Sequence, residues 1–145
     1  MSYRDLQSLT DKTFIKNWKM IDIFKQKGEQ LFDQVTTDKR WDINNQTLFN
    51  VFALSYYGYS FGVGRLTCLL DPTEINSFVQ QKLIELGAGE KYVSGLIDFA
   101  YDTFLQPTEG INAQLVGIGH SHFSAEDTTE LTNAIFNNAK SIQQA

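Results

Sequence analysis

The sequence predicts an all-α fold: one domain over residues 1–145, a bundle of five or six helices with a long N-terminal helix and an aromatic, glycine-rich central helix. Three observations predict it. Apolar residues recur at spacings of three and four along most of the chain, the period of a helix face turned toward a core. No segment shows sustained two-residue alternation rich in Val, Ile and Thr, so no sheet is expected. The length of 145 residues suits a single domain, and a hydrophobic fraction of 42% with 13% aromatics can fill its core.

The first helix is expected from about Thr10 to Thr36. Phe14, Trp18, Ile21, Phe24, Leu31, Phe32 and Val35 form its apolar stripe, with Lys12, Lys16 and Lys19 beside Asp11 and Asp22 on the other face. Gly28 interrupts the stripe and is a point where the helix could bend or divide. In the connector from Thr37 to Asn45, Trp41 is expected to fold back as a hydrophobic plug, and Asn44 or Asn45 to cap the second helix.

The second helix is expected from about Gln46 to Leu70, its stripe running through Phe49, Phe52, Tyr56, Tyr59, Val63, Leu66 and Leu70. Ser55, Gly58 and Gly62 lie on a neighbouring face, where small side chains admit another helix closely. Each interior glycine costs about 1 kcal/mol against alanine. Gly58, Gly62 and Gly64 therefore call for close packing or a local break near Gly62–Gly64.

Asp71-Pro72-Thr73-Glu74 is a helix start: a capping carboxylate, proline at the first helical position and an acid at the third. The third helix carries Ile75, Phe78, Val79, Leu83 and Leu86 and ends at Gly87. The fourth begins near Gly89-Glu90, carries Val93, Leu96, Ile97, Ala100 and Phe104, and stops at Gln106-Pro107. Pro107-Thr108-Glu109 repeats Pro72-Thr73-Glu74, which reads as a shared helix-start signal rather than a structural repeat. A short fifth helix is expected over Ile111–Ile118, then a loop holding His120 and His122. Ser124 and Asp127 resemble a capping box ahead of a last helix through Leu131, Ile135, Ala139 and Ile142.

Charge limits the function. The chain carries −5 at pH 7, and a phosphate-gripping nucleic-acid binder would need a basic face. Residues 1–42 hold eight Lys/Arg and seven Asp/Glu, whereas residues 43–145 hold four and ten. The acidic surplus thus lies wholly in the later segment. The uncharged run between Asp42 and Arg65 contains too many polar residues for a membrane span, so no membrane partner is expected.

Sites of chemistry are sparse. His120 and His122 precede Glu126 and Asp127, and a His-x-His pair with an acid can ligate Zn or Fe. Two histidines supply only part of such a shell, so a helical ligand- or metal-binding sensor is the alternative reading, and no cofactor is expected. Cys68 lies in a Leu-Thr-Cys-Leu-Leu run and reads as a small buried hydrophobe. Neither glycine-rich stretch has the Gly-Lys-Ser/Thr of a phosphate loop. With no acid, base and nucleophile set, no enzyme is expected. Asp98 and Asp102, four apart on the outer side of the fourth helix, repel each other by a few tenths of a kcal/mol. They read either as a solvated acidic face or as contacts for a basic partner.

Three segments carry a family resemblance: Lys39-Arg40-Trp41-Asp42-Ile43, Tyr56-Tyr57-Gly58-Tyr59-Ser60-Phe61-Gly62-Val63-Gly64-Arg65, and Gly119-His120-Ser121-His122-Phe123. With the helical order, they resemble small all-helical immunity proteins of bacterial polymorphic toxin systems, across most of the chain. The resemblance implies a cytoplasmic, non-enzymatic inhibitor of one cognate toxin domain. An acidic inhibitor of this kind can occupy the basic cleft of a nuclease toxin. Tyr57 and Phe61, four apart and off the main stripe, could then be aromatic anchors for the partner; the other reading makes them the second face of a central helix.

Overall fold

A computed structural model describes the backbone of residues 3–145 and the side chains of residues 19–145. Six α-helices follow one another: α1 Tyr3–Thr36, α2 Gln46–Gly62, α3 Pro72–Glu85, α4 Glu90–Leu105, α5 Ile111–Ser121 and α6 Thr129–Gln144. A π-helical turn, Val63–Thr67, continues α2. No strand occurs among the described residues. No helix searched among them is long and apolar enough to cross a membrane.

Helix α1 spans 34 residues, about 51 Å at 1.5 Å per residue. Phe24, Leu31, Phe32 and Val35 are buried as their spacing requires. Phe14, Trp18, Lys12, Lys16 and Asp11 lie outside the residues whose side chains are described. Gly28 does not divide α1, which runs unbroken through it. Its missing side chain makes room for Phe78 and for Tyr56, whose hydroxyl donates to the Gly28 carbonyl at 2.9 Å. Lys82 ties α1 to α3. Its ammonium lies 2.8 Å from Glu29 Oε2, 3.1 Å from Glu85 Oε2 and over the Phe32 ring. Burial alone would lower the Lys82 pKa, but the two carboxylates outweigh it and raise it.

Helix α2 is the axis of the molecule. It touches every other α-helix, and all residues from Val51 to Ser60 are buried. Asn45 caps it, accepting from the Leu48 N–H at 3.1 Å, and Trp41 closes its first half with an edge-on contact to Phe52, ring centroids 5.5 Å apart. The tightest seam is with α5. An alanine Cβ at Gly58 would stand 1.9 Å from the Val116 carbonyl oxygen, and one at Gly119 would stand 1.8 Å from the Ser55 carbonyl oxygen. Backbone meets backbone there, and no residue with a side chain fits at either position. Ser55 Oγ donates across the seam to the Leu115 carbonyl at 3.3 Å.

The end of α2 departs from expectation. The regular helix stops at Gly62, and the Cys68 N–H bonds back to the Val63 carbonyl at 3.0 Å, a five-residue step. A π-turn inserts an extra residue into the repeat. Leu66, expected on the buried stripe, is therefore rotated out and 57% exposed, while Val63 and Leu70 stay buried. The chain then turns through Leu69 at φ +56°, so the helix does not reach Leu70. Close packing at Gly62 and Gly64, against Phe123 and Ile75, accompanies this break. Cys68 is buried, and that burial pushes its thiol pKa up.

Asp71 caps α3 through the Thr73 N–H at 2.9 Å, and Gly87 follows α3 at φ +96°, a left-handed position that glycine adopts without strain. Pro107 starts no helix, because α5 begins only after Gly110, at φ +111°. Helix α5 continues past Ile118 to Ser121. The expected Ser124–Asp127 capping box does not form. Instead α6 starts at Thr129, whose N–H donates to Asp127 Oδ1 at 2.9 Å.

Candidate functional site

Helix α4 presents two unlike faces. Inward, Val93, Ile97 and Ala100 are buried, and Phe104 stacks on Phe61 with centroids 4.2 Å apart. Outward, Tyr92, Gly95, Asp98, Phe99, Asp102 and Leu105 fall on one arc at 100° per residue. All six are exposed. Tyr92, Phe99 and Leu105 expose 42%, 36% and 59% of their surfaces. Neither Asp98 nor Asp102 forms a salt bridge among the described residues. Two carboxylates without a salt bridge among the described residues thus lie amid exposed side chains that include Tyr and Phe, types enriched where proteins meet, whereas Asp is depleted there.

The four expected partner residues do not share this surface. Asp98 and Asp102 are on it. Tyr57 is in the core, 1% exposed, and its hydroxyl donates to Asn76 Oδ1 at 2.5 Å. Burial raises its pKa well above the ordinary value, with Tyr101 and Asp98 adding to the rise. Tyr57 therefore presents nothing to a partner in this fold; it belongs to the second face of a helix buried on all sides. Phe61 is half-buried in a stack with Tyr57, Tyr101 and Phe104. The pair supports α4 from beneath. Tyr92, Phe99 and Leu105 went unnoticed in the sequence, although each falls off the inward stripe of α4 on the arc of Asp98 and Asp102.

The histidines also sit differently from expectation. His120 lies in the last turn of α5, not in a loop, with its ring between Phe104 at 5.0 Å and Phe123 at 5.6 Å. Burial lowers its pKa, which favours the neutral imidazole. His122 Nδ1 is 2.9 Å from the Ile118 carbonyl, close to the helix end. Asp127 is engaged in capping α6. No cluster of three or more His, Cys, Asp or Glu suited to one metal ion occurs among the described residues.

A cleft of about 390 Å³ opens where the start of α2 meets the α3–α4 turn. Phe49 and Leu86 give it an apolar lining, Gly87 and Gly89 line it without side chains, and Tyr92 is one wall. Tyr92 thus belongs both to this cleft and to the outward arc of α4. Comparison with protein-family models, with curated proteins and with solved structures found no match.

Proposed function

We propose that this protein is a non-catalytic immunity protein that binds and neutralises a cognate toxin domain in the cytoplasm of the producing bacterium. The observation that carries the reading is the outward face of α4. It holds Asp98 and Asp102, without ion partners among the described residues, beside exposed Tyr92, Phe99 and Leu105. Like charges four apart on a helix cost about 0.2–0.5 kcal/mol, and a basic partner surface removes that repulsion. The −6 balance of residues 43–145 adds a long-range field that speeds encounter with such a surface and disfavours acidic ones. The aromatic and aliphatic groups then supply contact area that water leaves on docking. A toxin that handles nucleic acid offers the required basic cleft.

Co-expression with the toxin encoded beside the gene tests the reading. Wild-type protein should restore growth and co-purify with the toxin. Asp98→Lys combined with Asp102→Lys should abolish both effects while the helical circular dichroism and melting temperature stay unchanged. Full protection by the double variant removes α4 as the binding surface. Failure of the wild-type protein to bind or protect removes the immunity reading itself.

A further inference from the structure

We propose that a recess between the start of α2 and the last turns of α6 binds a small carboxylate, its carboxyl group held by Arg40 and Lys140 and its short aliphatic tail by an apolar floor. The site is independent of the α4 face. The recess is about 170 Å³ and no acidic side chain lines it. Its two charged residues, Arg40 and Lys140, are both cations, although residues 43–145 carry ten Asp/Glu against four Lys/Arg. Its sign is therefore opposite to that of the chain around it, which selects an anion as occupant.

The donors are set before binding. Phe136, Ala139, Lys140 and Gln143 fall three and four apart and so share one face of α6. Phe136 and Ala139 are buried, as is Leu48 of α2, and the three give the recess its apolar floor. The Arg40 guanidinium lies over the Phe136 ring, 4.3 Å from its centroid. Asp38 accepts from Nε and Nη2, and Asn133 accepts from Nη2. The guanidinium is thereby oriented, while Nη1 makes no hydrogen bond among the described residues. Asp38 offsets much of the Arg40 charge. Lys140, which forms no salt bridge among the described residues, supplies the net positive charge. The Asn45 and Gln143 amides donate to each other at 3.2 Å and 3.1 Å, so their carbonyl oxygens are already satisfied. A carboxylate accepting from Nη1 and the Lys140 ammonium makes two charge-assisted hydrogen bonds. A cavity this small encloses only a small molecule or the end of a chain. Its floor favours an anion that carries a few methylene groups over inorganic phosphate.

Butyrate, titrated into the full chain and followed by amide NMR, tests this. Saturable shifts at Asn45, Leu48 and Ala139 are expected. Lys140 is exposed, so Lys140→Gln should leave the melting temperature unchanged while weakening butyrate binding at least tenfold. Butanol has the tail without the charge, and inorganic phosphate has the charge without the tail. Each should bind at least tenfold more weakly than butyrate. An acetylated dipeptide ending in valine, compared with its C-terminal amide, separates two sources of the carboxylate. Binding tighter than that of butyrate and lost in the amide assigns the site to a chain terminus; weaker binding assigns it to a free short-chain acid. Absence of saturable shifts at the three residues overturns the proposal. So does butanol or phosphate binding as tightly as butyrate, or butyrate binding that Lys140→Gln leaves unchanged.

Discussion

Replacing Gly119 with alanine places a methyl group 1.8 Å from the Ser55 carbonyl oxygen, whereas ordinary contact begins near 3.4 Å. The obstacle is helix backbone, which cannot rotate aside, so α5 must move from α2 by 3.4 − 1.8, about 1.6 Å. Gly58→Ala requires 3.4 − 1.9, about 1.5 Å, at the Val116 carbonyl. A gap of 0.5–1 Å already forfeits a quarter to a half of the dispersion well. Taking half of about 2 kcal/mol for each of the buried side chains Leu115 and Val116 gives a loss of about 2 kcal/mol. The Ser55 hydrogen bond to Leu115 adds about 1 kcal/mol, and alanine's better helix propensity offsets about 1 kcal/mol. Each variant should therefore be destabilised by about 2 kcal/mol. The double variant should cost well below the sum, by roughly 1 kcal/mol or more, because one separation admits both methyl groups. Urea unfolding followed by circular dichroism at fixed m-value measures this. Gly95→Ala and Gly117→Ala, helical sites with open space around them, are the controls and should stabilise by up to about 1 kcal/mol. If Gly58→Ala and Gly119→Ala behave like these controls, or if their costs add fully, the backbone seam does not hold α2 and α5 together as described.

Other perturbations follow from the same packing. Thr132 Oγ1 is buried and without a hydrogen-bond partner among the described residues, so Thr132→Val should raise stability by about 1 kcal/mol; a fall in the urea midpoint would show that the hydroxyl is satisfied. Lys82→Met should change stability by no more than about 1 kcal/mol, because Glu29 and Glu85 are half-exposed and rehydrate, whereas Glu29→Gln with Glu85→Gln should cost more by stranding a buried ammonium. The reverse order in thermal melts would refute that account. Arg40 binds both carboxylate oxygens of Asp38 at 2.9 Å and donates its own N–H to Oδ1, which lowers the Asp38 pKa from 3.8 to about 2. A carboxyl lowered in the folded state adds stability above its unfolded pKa, and that stability is lost as pH falls from about 4 to about 2. Carboxyl NMR titration should place Asp38 near 2 in the wild type and near its ordinary value in Arg40→Ala; a wild-type midpoint near 4 would refute the pairing.

Helices that are buried on one side announce themselves: α3 does so through its spacing, its Asp71 cap and Gly87, α4 through its spacing and its stop before Pro107, and α6 through its spacing alone. Helix α2 does not. It is apolar around its whole circumference, so periodicity cannot rank its faces. That is why Tyr57 could pass for a surface anchor, when only the fold shows α4 covering it. Leu66 went astray because a constant period of 3.6 was carried across a π-turn. His120 was placed in a loop because Gly117 and Gly119 oppose a helix locally. Tertiary contact reverses that preference, since Gly119 is needed where α5 meets the Ser55 carbonyl. The acidic pair on α4 could be found from sequence because helical spacing alone places it. Its aromatic companions Tyr92 and Phe99 lie on the same arc by the same spacing, but their apolar rings suggest burial, and only the fold shows them exposed.

Several residues of the three segments that suggest immunity proteins share a structural role, although Lys39, Arg40, Asp42, Ile43, Arg65 and Ser121 in them are exposed. Tyr56, Tyr57, Tyr59 and Val63 are core residues of α2. Trp41 closes on Phe52, Gly119 meets Ser55, and His120 stacks between Phe104 and Phe123. These residues line or seal the central helix, so they specify how the bundle is assembled. Tyr92, Asp98, Phe99, Asp102 and Leu105 lie outside all three segments, on the exposed face of α4, where only Tyr92 is shown in contact with α2, through Phe49 and Asn50. Core positions tolerate few changes at fixed volume, whereas exposed positions change at a cost within about 0.5 kcal/mol. A scaffold of this kind can keep its interior motifs while its outward α4 residues are rewritten for another partner. Likeness in those motifs therefore bears on the bundle, and the proposed docking surface rests on the outward residues of α4 alone.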